Sequence, residues 1–123
     1  MRIPFIAGNW KMNKSRDEAL EFIYAVNRSL PKTSEVETAI FAQAPHLRSL
    51  VKREGDFLRI GGQNMHYEES GAFTGEISPR VMQSLGVKYI LIGHSERRAY
   101  YNETDETANK KLHAAFKYNL KPI

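Results

Sequence analysis

The sequence predicts an α/β protein built around a parallel sheet. Two observations carry this: strand-like and helix-like segments alternate strictly over four units, and "VKYILIG" (Val87 to Gly93) is apolar almost without interruption. Alternation implies parallel strands joined by right-handed crossovers. A near-continuous apolar strand implies a sheet covered on both faces.

"RIPFIAGN" supplies the first strand, Arg2 to Ala7, with Gly8 as its expected end. A helix follows, because Ser15 and Glu18 stand in the S-x-x-E relation of a capping box and Ala19, Phe22, Ile23, Val26 and Leu30 recur at helical spacing. Pro31 stops it. "VETAIFAQA" (Val36 to Ala44) is the second strand, and Pro45 opens a short helix with Leu47, Leu50 and Val51, closed by Gly55.

"DFLRIGG" is the third strand. Residues 63 to 77, "QNMHYEESGAFTGEI", keep neither period and form a long loop, a feature that is usually functional in a compact domain. Ser78 and Pro79 cap the next helix, which runs to Leu85 and ends at Gly86. After the fourth strand a last helix, about Thr104 to Tyr118, is expected to bury Ala108, Leu112, Ala115 and Phe116, and "LKPI" begins another extended segment.

With 123 residues, 41% hydrophobic and 26% charged, the chain is at most one ordinary domain and folds in water. Its longest apolar stretch is far short of the roughly 20 residues that span a bilayer, and Asn9 and Lys11 come too early for a signal peptide. A cytoplasmic location is therefore expected, in keeping with the absence of cysteine. Lys and Arg outnumber Asp and Glu by 18 to 14, but they are scattered among the acids and form no basic stripe, so nucleic acid is not an expected partner. His46, His66 and His113 lack the paired spacing of a metal site. "GGQN" and "SGAFTGE" lack the order of nucleotide-binding loops.

Sites in parallel α/β folds gather beyond the carboxyl ends of the strands. That rule selects Asn9 and Lys11 after the first strand, Gln63 and Asn64 after the third, and His94, Ser95 and Glu96 after the fourth. His94 has two readings. It either fills a strand-to-helix turn, or, facing the free N–H groups that open a helical turn at Ser95, is held neutral and donates a hydrogen bond to a substrate carbonyl. Lys11 is either a solvated lysine or a cation turned to a pocket by a loop that Trp10 anchors through packing. Glu96 either orients Lys11 or complements the helix dipole.

"AGNWKMN" (7 to 13), "GGQNMHYEESGAFTGEISP" (61 to 79) and "YILIGHSERR" (89 to 98) resemble three signature segments of the triosephosphate isomerase family, in order and in spacing. The likeness covers all 123 residues. It implies a (β/α)8 barrel, of which residues 1 to 123, with no internal boundary, supply the N-terminal half: about four βα units and the start of strand five. It implies an enzyme, an aldose–ketose isomerase of glycolysis and gluconeogenesis, which interconverts dihydroxyacetone phosphate and glyceraldehyde 3-phosphate through an enediolate without a cofactor.

By the same resemblance Asn9 and Lys11 bind substrate, with the Lys11 ammonium steadying the enediolate and the phosphate. His94 is the neutral electrophile, with Ser95 and Glu96 behind it. The 63–78 loop, with Thr74 and Glu76, is the loop that pairs two copies, placing Thr74 near the partner's Asn9 and His94. The general-base glutamate, the lid and the later phosphate loops are expected beyond Ile123, since such barrels typically have about 250 residues. Half a barrel alone is expected to be inactive and to expose sheet edges prone to self-pairing.

Overall fold

The computed structural model describes all residues from 1 to 123. Five strands, β1 (Phe5–Asn9), β2 (Glu37–Ala42), β3 (Leu58–Gly62), β4 (Tyr89–Ile90) and β5 (Lys121–Pro122), form one sheet in chain order. Every pair is parallel. Helices α1 (Arg16–Val26), α2 (Leu47–Val51), α3 (Pro79–Leu85), α4 (Ser95–Tyr100) and α5 (Asp105–Lys117) fill the connections, with a 3₁₀ turn at Ala44–His46 leading into α2.

Strand order decides the architecture. A doubly wound sheet reverses direction at a switch point, whereas here each strand is laid beside its predecessor, so right-handed crossovers carry the helices to one face. The buried residues divide accordingly. One cluster joins Ala42, Leu58, Ile60 and Ile90 to Ile23 of α1, Leu47 and Leu50 of α2, Met82 of α3 and Ala115 of α5. A separate, smaller cluster holds Ala39, Phe41 and Tyr89, with Phe5 and Leu91 against it, on the face without helices. Alternation along β2 sends Ala39 and Phe41 to this inner face and Ala42 to the helical one.

The sheet is an open half-barrel of about four βα units. Ile6, in β1 at the edge of the sheet, is 62% exposed. No helix is long and apolar enough to cross a membrane.

Several elements differ in detail from the sequence reading. Gly8 does not end β1, which pairs with β2 through Asn9; a Cβ at Gly8 would lie 3.0 Å from Ile40 Cδ1, so this glycine serves packing. α1 has the expected capping box but stops at Val26, before Leu30. Within the long loop, whose lack of a period singles out no position for burial, Met65 is wholly buried. The largest correction is in α5, where Phe116 is 66% exposed and Lys111 is buried in the stripe with Ala108, Ala114 and Ala115.

Gly61 makes the inner face possible. A Cβ there would meet Phe41 Cε1 at 2.4 Å and the Tyr89 carbonyl oxygen at 3.1 Å, and Phe41 is fully buried with no room to swing aside. Gly61→Ala is therefore expected to destabilise the fold by about 1–3 kcal/mol, read as a lowered urea midpoint.

Candidate functional site

β1, β3 and β4 each deliver polar residues to the same carboxyl-end rim. Asn9 ends β1, Gln63 and Asn64 follow β3, and His94 stands two residues after Ile92, which still pairs with Ile123. Gly93, at φ 69°, makes the sharp exit from the β4 segment that a side chain would resist. A cleft of about 340 Å³ opens here, with Asn9, Lys11, Gln63, Asn64, His94 and Glu96 on its walls.

His94 caps α4: its Nδ1 accepts the backbone N–H of Glu96 at 3.1 Å. A nitrogen that accepts an N–H carries no proton, so in the uncharged ring the proton sits on Nε2. Asn9 is oriented by a similar argument. Its Oδ1 accepts the backbone N–H of Lys11 at 3.0 Å and the Gln63 amide at 3.3 Å, which turns Nδ2 toward His94 Nε2 at 3.4 Å. With Nε2 protonated, these two nitrogens are both donors and neither satisfies the other. Both need an acceptor, and the cleft lies beside them.

Lys11 adopts a left-handed backbone, φ 55°, a conformation that costs a non-glycine residue about 1–2 kcal/mol. Gln63 helps to fix it by donating to the Lys11 carbonyl oxygen at 2.8 Å, while also reaching the Phe41 carbonyl oxygen at 3.2 Å. The Lys11 ammonium rests 2.8 Å from Glu96 Oε1, and Glu96 Oε2 lies 3.7 Å from His94 Nδ1. One carboxylate thus stands between the cation and the imidazole. The hydrogen bond from Lys11 holds the Glu96 carboxyl below its ordinary value. Both members of the pair are about half-exposed, so solvent screens it and the ammonium is free to turn to a ligand anion.

The other residues singled out in the sequence lie apart from this cleft. Ser95 is exposed and takes no part in its walls. Thr74 and Glu76 are exposed near the tip of the 63–78 loop, whose neck is closed by the His66 N–H donating to the Ile77 carbonyl oxygen at 2.8 Å. Within the loop, His66 stacks against both Tyr67 and Phe73, each with ring centroids 4.4 Å apart. Sequence reasoning missed the wall made by Arg97, Tyr100 and Tyr101; the turn of helix after His94 was the signal that these side chains would reach the rim.

It also missed a buried ion pair. Lys111 Nζ lies 2.8 Å from Glu103 Oε2 and donates to Asn64 Oδ1 at 2.9 Å, tying α5 to the rim. Burial pushes the Glu103 carboxyl up, but hydrogen bonds from Lys111 and Thr107, with the Arg97 charge, outweigh it and the net direction is down.

Strands laid in chain order, helices on one face and polar groups gathered at the carboxyl rim define part of a singly wound (β/α) barrel. The sequence profile of triosephosphate isomerase matches residues 4–123, and the chain belongs to that family. It is 53% identical over 124 residues to triosephosphate isomerase of Lactiplantibacillus plantarum, an alignment covering 100% of this chain and 49% of that one. It is 54% identical over 121 residues to that of Onion yellows phytoplasma, covering 98% and 44%. The chain spans about half the length of the relatives it matches.

One expectation is corrected by these findings. The resemblance implied an enzyme, an aldose–ketose isomerase, but the five strands form only an open half-barrel, and half a barrel does not hold the full catalytic architecture.

Proposed function

We propose that residues 1–123, as one unit without an internal boundary, form the N-terminal half of a (β/α)8 barrel and bring to the completed barrel one side of a triose phosphate site. The reaction served is the interconversion of dihydroxyacetone phosphate and glyceraldehyde 3-phosphate through an enediolate, a step of glycolysis and gluconeogenesis. The observation that carries this reading is the convergence of donors. His94 Nε2–H and Asn9 Nδ2 face one cleft with no protein acceptor between them, and the Lys11 ammonium stands on the same wall. Such a surface suits a ligand rich in oxygen and negative charge. His94 polarises the carbonyl, and Lys11 with Asn9 holds the phosphate end and the oxygen anion as charge develops. Glu96 keeps the ammonium in place until substrate arrives, and Ser95 opens the helical turn that His94 caps.

The experiment is complementation. The chain is mixed with, or fused to, the C-terminal half of the Lactiplantibacillus plantarum relative and assayed with both triose phosphates. Turnover only in the completed barrel is expected; turnover by the 123 residues alone, or a folded but inert completed barrel, would count against the reading.

The 63–78 loop completes the proposal as a pairing surface between two copies. Its neck is closed by a backbone hydrogen bond and its aromatic rings pack on one another within the loop, while Thr74 and Glu76 are exposed near its tip. Thr74→Arg in the completed barrel is expected to yield monomers with much reduced turnover, checked by sedimentation and rate assays on the same sample. A fully active monomer would sink the pairing role.

A further inference from the structure

The segment from Trp10 to Ser15 bears Lys11 without any regular hydrogen-bond ladder of its own. It also contains a second left-handed residue, Lys14, at φ 75°. Two non-glycine residues in this region within four positions form an arrangement that persists only if its surroundings hold it. Three side chains from other elements do so, each donating to a different carbonyl oxygen: Gln63 to Lys11 at 2.8 Å, Gln43 to Asn13 at 3.3 Å and His46 to Lys14 at 2.9 Å. The Lys14 ammonium, for its part, lies over the rings of Trp10 and Phe22.

His46 has the firmest base of the three. It directly precedes α2, whose Leu47 and Leu50 are sealed in the helical-face core. Its bond to Lys14 is short and partly buried, spanning 32 residues of sequence. A carbonyl oxygen only accepts, so His46 Nε2 is the protonated nitrogen, and the bond persists whether the ring is neutral or charged. The two histidines are therefore built for different tasks. His94 turns its donor to the cleft; His46 spends its donor on the backbone.

We infer that His46 is a positioning residue for the Lys11 ammonium, acting through the carbonyl of Lys14. The inference rests on the proposed site, in which Lys11 meets the substrate. Freed of His46, the Lys14 carbonyl loses its tether and the segment relaxes toward ordinary backbone angles, carrying the ammonium away from the cleft wall.

The test uses the completed barrel, with steady-state kinetics at several protein concentrations and a melting curve for each variant. His46→Ala is expected to lower kcat/KM about 10- to 100-fold, a displacement effect, while His46→Gln, which keeps an N–H donor, restores most of the loss. In a Lys11→Ala background, His46→Ala should cost nothing further, since the group it positions is gone. An unchanged kcat/KM in His46→Ala, equal losses in Ala and Gln, a full additional loss on top of Lys11→Ala, or a loss that disappears at high protein concentration would each overturn the inference. If His46→Ala does not fold, His46→Gln and His46→Met decide: a near-normal Gln variant beside a folded Met variant, which lacks the donor, with kcat/KM lowered about 10- to 100-fold supports positioning, and equal kcat/KM in the two refutes it. Should Lys11→Ala itself be harmless, it is the site reading that fails.

Discussion

Lys11→Ala in the completed barrel is expected to lower kcat/KM by about 100- to 1000-fold or more, the scale of losing one preorganised charge-stabilising group. Both parameters should suffer. In the proposed site the ammonium would touch the substrate phosphate in ground and transition states alike, so that its loss would raise KM, and would touch the developing oxygen anion only at the transition state, so that its loss would lower kcat. His94→Gln separates the two effects. Gln retains an N–H donor but has no ring proton to exchange, so kcat should fall by a similar factor while KM moves little. Steady-state rates with dihydroxyacetone phosphate check both variants, and a Lys11→Ala protein with an unaltered kcat/KM would remove the cation from the mechanism.

Lys111→Met is expected to be the most damaging single change to stability, by about 3–5 kcal/mol, because it strands the Glu103 carboxylate. The pair is 7% and 2% exposed, and Glu103 has only Thr107 and the more distant Arg97 to fall back on. Against the total stability of an ordinary domain, about 5–15 kcal/mol, such a loss is severe. Lys111→Met combined with Glu103→Leu should recover much of it, since an apolar pair of similar volume carries no uncompensated charge. Acid breaks the same pair from the other side, because protonating Glu103 leaves the buried Lys111 ammonium without its counter-charge. The folded Glu103 carboxyl lies below its ordinary value of 4.5, so its contribution is present above that pH and is lost as pH falls below it through the folded value. Urea midpoints of both variants, and of the parent between neutral pH and pH 3, check these expectations.

The residues that position the rim were legible in sequence where local physics sets them. Ser15 and Glu18 announced α1 because a capping box is closed within four residues. The turn after His94 was legible because its unpaired N–H groups lie next to the ring that accepts one of them. Lys111 was not legible, because nothing near it in the sequence says that the turn before α5 returns Glu103 to its ammonium, or that Asn64 closes the third side. Phe116 misled for a related reason: alanines, not the largest apolar residue, let α5 approach the sheet, and the buried stripe is displaced by about one position. Gly8 was read as a stop because a glycine's role in packing depends on a neighbouring strand that sequence does not reveal.

In the proposed site one small oxygen-rich ligand meets the Lys11 ammonium and the His94 Nε2–H in a single cleft. Nitrogen-15 spectra of the completed barrel, titrated with dihydroxyacetone phosphate and assigned through Lys11→Ala and His94→Gln, test it most directly. Concerted movement of the Lys11 Nζ and His94 Nε2 signals, saturating at one ligand per chain, is the expected result. Movement of one signal without the other, or saturation at two different ligand concentrations, would contradict it.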